Sequence, residues 1–230
     1  MTSKLVRRTA ALALFAASVV TASAVHAAVV FYADRASFDA ANPGLPIEDF
    51  EEANVSAAGI LSMPNPLDSA TNNGIFSTGD ILNGLRIRTP DNDGPSALAI
   101  PGAGFAGIVP SKSVFGNFFG TGLDAIFYDG DVFAVGLDLY SYSAGSTRTV
   151  NVFGTAGLLD SITLAVSTSG TFVGIQSSDR IAYVNVGGVA GYTIGFDNVA
   201  FGAARVPEPG TLALLGISFA GLAATRRRKK

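Results

Sequence analysis

Carboxylates are the main reactive side chains this sequence offers. Its 230 residues include no cysteine and one histidine, His26, inside the N-terminal apolar region. Without His or Cys beyond that point, Ser-His-Asp and Cys-His nucleophilic centres cannot be assembled. Zinc loses both of its preferred ligand types, and no glycine-rich phosphate loop with a following lysine is present. Acid pairs remain. A glycosidase needs two carboxylates about 5 to 10 Å apart across the sugar. Glutamate is scarce (Glu48, Glu51, Glu52 and Glu208), and Asp124, Asp129, Asp131 and Asp138 read as turn and wet-face residues. Calcium, which takes hard oxygen donors, suits so acidic a chain better. Asp91-Asn92-Asp93-Gly94 has part of an EF-hand loop's spacing, but Thr89 and Ile100 stand where ligands belong, so it reads as a turn. With no tryptophan in the chain, Tyr128, Tyr140 and Tyr142 are the rings left to stack on a sugar.

The elements that must position these residues are mostly strands. Val29 to Tyr32 reads as a strand, and Asp34 caps a helix that ends before Pro43-Gly44. A strand is expected around Asp49-Phe50-Glu51, then a long loop from Ala53 to Gly74. Leu85 to Thr89 alternates apolar with polar, Ala97 to Ile100 follows the turn, and a glycine-rich linker runs to Pro110. Further strands are expected at Asp124 to Tyr128, Phe133 to Tyr140, Arg148 to Phe153, Leu158 to Leu164, Thr171 to Ile175, Ile181 to Val186 and Tyr192 to Phe201. Phe133 to Tyr140 reads as half-buried. Short strands at this spacing argue an antiparallel β-sandwich.

The two ends address the chain. Val206-Pro207-Glu208-Pro209-Gly210 cannot continue a strand or helix. Thr211 to Ala224 follows without charge or proline, then Arg226, Arg227, Arg228, Lys229 and Lys230. As a helix this run spans about 21 Å. That is short of the roughly 30 Å hydrocarbon core, a gap met by bilayer thinning and long flanking side chains. The terminal cations place the C-terminus in the cytoplasm and the domain outside. Motif, apolar helix and basic cluster together resemble the PEP-CTERM sorting signal of Gram-negative bacteria. The resemblance implies recognition by an exosortase, removal of the tail near Pro207-Glu208-Pro209, and passage to the cell surface or an exopolysaccharide matrix.

At the N-terminus, Lys4, Arg7 and Arg8 precede the apolar stretch Thr9 to Val20. Val25-His26-Ala27 then fits signal peptidase cleavage between Ala27 and Ala28. Three units follow: a signal peptide at 1–27, an extracytoplasmic domain at 28–205, and a sorting signal at 206–230 (motif 206–210, transmembrane helix 211–225, basic tail 226–230). Residues 28–208 hold seven cations and all 18 acids, a net charge of −11. Such a surface repels nucleic acid and anionic headgroups. Without disulfides, the domain depends on its core alone.

A second resemblance covers much of residues 47 to 201. Asp-Phe-Glu at Asp49, Phe-Val-Gly-Ile at Phe172, Ile-Ala-Tyr-Val at Ile181 and Gly-Phe-Asp-Asn-Val-Ala-Phe at Gly195 look like jelly-roll domains of PEP-CTERM proteins, similar to lectin-like sandwiches. In such folds the first and last strands pair, often beside a structural calcium. This implies Glu51 and Asp197 as calcium ligands. Asp197-Asn198 also interrupts the apolar alternation as a bulge does. The expected molecule is an all-β, jelly-roll-like sandwich with one C-terminal transmembrane helix, exported through the inner membrane. It is expected to be non-enzymatic, binding glycan or exopolysaccharide and no nucleic acid. A carboxylate-dependent glycan-active enzyme is the alternative. Ice or surface binding is another, although Thr147, Thr149, Thr163, Thr168 and Thr171 keep no fixed period.

Overall fold

The computed structural model describes residues 28–90, 94–117, 122–143, 145–189 and 192–203. Strands are numbered in chain order. One sheet holds β1 (Val29–Tyr32), β2 (Ile47–Glu48), β3 (Ile60–Met63), β6 (Leu98–Pro101), β7 (Val114–Gly116), β9 (Ala134–Ser141), β12 (Thr171–Ser177) and β14 (Ile194–Gly202). Its order is β1-β12-β9-β14-β7-β6-β3, with β2 also on β14. The second sheet holds β4 (Leu67–Asp68), β5 (Leu85–Arg88), β8 (Leu123–Phe127), β10 (Ser146–Gly154), β11 (Gly157–Val166) and β13 (Ile181–Val186). Its order is β11-β10-β13-β8-β5-β4. Both sheets are antiparallel throughout the described pairings.

Alternation builds the core between the sheets. Val135, Leu137 and Leu139 of β9 and Phe196 of β14 share one buried cluster with Val150, Val152, Val184 and Leu85 from the other sheet. Phe127 meets Phe201 across the gap at 5.3 Å between ring centroids. The result is an antiparallel β-sandwich, as the strand pattern predicts.

The outer face of the first sheet is covered too. Helix α1 (Arg35–Ala41) starts at Asp34, whose side chain accepts from the Ser37 N–H. Phe38 of α1 lies over the sheet where β9 and β12 carry Gly136 and Gly174; a Cβ on either would fall 2.8 or 2.6 Å from its ring. The segment from Gly102 to Lys112, with a 3-10 turn at Phe105–Gly107, covers another part of that face. In β9 every residue except Asp138 is therefore buried. This corrects the half-buried reading, which saw one apolar face and had no view of the second cover.

Three further corrections concern short elements. The strand expected around Asp49-Phe50-Glu51 is only Ile47–Glu48, because the chain turns at Phe50, with φ at 56°. The expected loop from Ala53 to Gly74 contains β3 and β4. β7, just beyond the expected linker, carries no alternation to announce it. Among the described residues no helix is long and apolar enough to cross a membrane. The sorting motif, the 211–225 helix, the basic tail and Ala27 lie outside the described residues. Ala28 lies within them and donates its N–H to Ser178 Oγ at 3.0 Å.

Candidate functional site

The region expected to hold calcium is built around the last strand. Apolar residues of β14 face the core at 194, 196, 199 and 201, and the odd step is absorbed by a bulge between Asp197 and Ala200. Asn198 sits there with φ at 47°. The bulge leaves Asp197 on the outer face, directly opposite Asp138 of β9. Asp197 is wholly buried. One of its oxygens accepts from Ser111 Oγ and the other from the Asn198 N–H at 2.7 Å. Burial, with Asp138 and Glu51 nearby as further anions, pushes its pKa up to about 7. Asp138 is held by Arg35 at 3.1 Å and by Asn198 Nδ2 at 2.9 Å.

Glu51 approaches from the turn after β2. Its Oε1 accepts from the Lys112 N–H at 2.8 Å, and the Lys112 ammonium lies 3.9 Å from its Oε2. Glu51 and Asp197 thus grip consecutive residues, Lys112 and Ser111. An ion bridging the two would have to displace that segment. A better-grouped set lies alongside: Glu48, Asp49 and Glu52 can bring one oxygen each within 4.8 Å of one another. Glu48 is buried, and its two oxygens accept from the Phe50 N–H at 2.9 Å and the Leu82 N–H at 2.7 Å. The first of these holds Phe50 in its left-handed conformation. Burial pushes the Glu48 pKa up to about 7 despite both bonds.

A second constellation was not expected. The outer face of the second sheet carries two rows of side chains in register. Ser161, Asn151, Asn185, Asp124 and Arg88 stand opposite one another across β11, β10, β13, β8 and β5. Asn151 Nδ2 donates to Asn185 Oδ1 at 3.2 Å, Asn185 Nδ2 to Asp124 Oδ1 at 2.6 Å, and Arg88 Nε to Asp124 Oδ2 at 3.2 Å. The neighbouring row runs Phe153, Tyr183, Ile126, Arg86 and Asp68. Phe153 and Tyr183 stack at 4.4 Å, nearly parallel at 7°. Arg86 pairs with Asp68 at 3.1 Å and lies 5.1 Å from the Tyr128 ring centroid. Polar residues at these outward positions are legible in the sequence; the register aligning them across five strands is not.

Of the three expected tyrosines, Tyr128 lies at the end of this face and Tyr140 is buried at 5% exposure. Tyr142 lines a cavity of about 300 Å³ with Phe105, Phe115, Asn117, Ile60 and Thr193. Burial lifts the Tyr142 pKa to about 12. Phe115 lies flat against the sheet because Gly195 has no side chain; a Cβ there would fall 2.3 Å from its ring. Among the other expected acids, Asp129 accepts from Asn83 at 2.8 Å and is exposed, as is Asp131. Asp91 and Asp93 lie outside the described residues. Thr149 and Thr163 meet across β10 and β11 at 3.3 Å, while Thr171 accepts from the Ser167 N–H at 3.1 Å in the turn before β12. These threonines do not make one array.

No curated protein matches the chain. Among solved structures, TmCBM61 in complex with beta-1,4-galactotriose is similar over 52% of this chain and 88% of its own, at 13% identity and a TM-score of 0.31. A candidate sugar binding protein from Bacteroides thetaiotaomicron VPI-5482 is similar over 69% and 98%, at 12% identity and 0.37. The carbohydrate-binding module CBM36 in complex with calcium and xylotriose is similar over 40% and 82%, at 14% identity and 0.26. At such identities and scores nothing about ligand or activity passes to this chain. The C-terminal segment is different: residues 205–229 match the PEP-CTERM protein-sorting motif.

Proposed function

We propose that this protein is exported, sorted through its tail to the cell surface or exopolysaccharide matrix, and there binds glycan without catalysing a reaction. Signal peptidase at Ala27-Ala28 and an exosortase near Pro207-Glu208-Pro209 are its processing enzymes, and the 211–225 helix holds it in the inner membrane meanwhile. What supports the destination is the sorting motif. What carries the binding reading is the outer face of the second sheet, on a jelly-roll-like sandwich. A row of amides, a carboxylate and a guanidinium offers both donors and acceptors to hydroxyl groups. The adjoining Phe153-Tyr183 pair offers ring surface to the apolar faces of sugars. The catalytic alternative has its two close acids in Asp138 and Asp197, but Asp197 is wholly buried beneath Ser111 and open to no substrate.

The test starts with the mature protein from its own host. Intact mass should show loss of residues 1–27 and of the tail. That species, applied to surface and matrix polysaccharides, should bind. Tyr183→Ala and Asn185→Ala should each weaken binding about tenfold or more, as central contacts do, while the fold stays intact by circular dichroism. Binding that survives both substitutions sinks the assignment to this face.

Calcium belongs to the same reading as a structural ion. The donor set of Glu48, Asp49 and Glu52 fits its preference for carboxylate oxygen. Glu51 and Asp197 fit only if Ser111 and Lys112 move away. Millimolar calcium should raise the melting temperature through ligand linkage. Glu52→Gln should abolish that rise if the ion sits with Glu48 and Asp49, and Glu51→Gln if it sits with Asp197. No rise in the unaltered protein would remove calcium from the account.

A further inference from the structure

Arg35, Arg86 and Arg88 each meet a carboxylate, at 3.1, 3.1 and 3.2 Å. Among the described residues Arg148 makes no such pair. It points inward from β10 in line with Val150 and Val152, is 1% exposed, and heads the fully buried side chains by size. Its Nη2 donates to the Thr193 carbonyl at 3.3 Å. Its Nε and Nη1 are buried and have no hydrogen-bond partner. Burial pushes its pKa down, and no described carboxylate offsets that.

A guanidinium does not shed its proton in a protein. Arg148 is therefore a full positive charge in the sandwich interior with two N–H-bearing nitrogens unused. A buried charge without a counter-charge is among the costliest arrangements a fold can hold. Buried donors without partners point to a missing water or ion. In a domain carrying −11, acids are plentiful, yet none of the described ones is brought here.

We propose that Arg148 binds a small inorganic anion of chloride's size and charge inside the sandwich, beside the Thr193 end of β14. A sugar carboxylate is excluded by size, since the guanidinium is 1% exposed. A monovalent halide is also easier to strip of water than phosphate or sulfate. The anion accepts from Nε and Nη1 while Nη2 keeps the Thr193 carbonyl, tying β10 of one sheet to β14 of the other.

The experiment uses the full chain in detergent, melted in sodium chloride, sodium bromide or sodium gluconate at fixed ionic strength. The melting temperature should rise about 3–5 °C for each tenfold increase in halide above its dissociation constant. Arg148→Met should show no halide dependence and melt in gluconate at least as high as the unaltered protein. Should that variant fail to fold, crystals of the unaltered protein grown in bromide decide: an anomalous peak within hydrogen-bonding distance of Nε or Nη1 is expected. Water alone at those nitrogens, or a halide-independent melting temperature in the unaltered protein, overturns the proposal.

Discussion

Glu48 and Asp197 are buried acids whose pKa values are both pushed up to about 7, from ordinary values of 4.5 and 3.8. Each binds its proton more tightly in the folded chain than in the unfolded one. Their contribution to stability is therefore full below about pH 4 and is lost as pH rises through 7. Without calcium, denaturant unfolding at pH 5 and pH 8 should show the fold weaker at pH 8, by on the order of a few kcal/mol for the two sites. Asp197→Asn should remove roughly half of that difference; an unchanged difference would mean that Asp197 is ionised throughout. Asp197 was also legible early, because a period of two breaks at Asn198 and forces the alternation to slip. Glu48 was not: on paper it is an ordinary acid near a strand end, and only the turn at Phe50 gives its oxygens two amides to hold.

At the scale of elements, the first sheet is a layer covered on both sides. Phe38 closes one part of its outer face, where Gly136 and Gly174 make room for the ring. Phe38 itself is fully buried and meets Tyr32 edge-on and Phe172 at a tilt, both at 5.7 Å between ring centroids. Phe38→Ala should cost about 3–5 kcal/mol, measured by denaturant unfolding. A cost near zero would show that α1 does not pack on the sheet in solution. The long strands were readable because alternation over six or more residues is a strong signal. β2, β4 and β7 hold two or three residues each, too few for any period, and they exist only because a neighbouring strand offers them partners. The same limit explains the outward rows of the second sheet. Asn151 and Asn185 each read as an outward polar residue, but their adjacency is a fact of register, set by side chains on the opposite face.

For the whole molecule, the sequence reading and the structure divide the work between them. Destination is written locally, in a proline-flanked motif, an apolar run and a basic cluster, and so can be read from about 25 residues. The outward polar row of the second sheet is written non-locally, across strands that lie far apart in the chain. Asp124 and Asn185, bonded at 2.6 Å, are separated by 61 positions. The net charge of −11 over residues 28–208 repels other anions over the whole surface.

The place of β14 in the first sheet carries a further meaning. It pairs with β9 on one side and with β7 and β2 on the other. Take it away and that sheet falls into two unjoined halves, β1-β12-β9 and β7-β6-β3. Yet β14 is the last of the described strands, and so the last of them to leave any pore that threads the chain N-terminus first. The second sheet can pair without it, but the two halves of the first join only when β14 arrives, just ahead of residues 205–229. Completion of that sheet is thus timed to the emergence of the segment that matches the sorting motif.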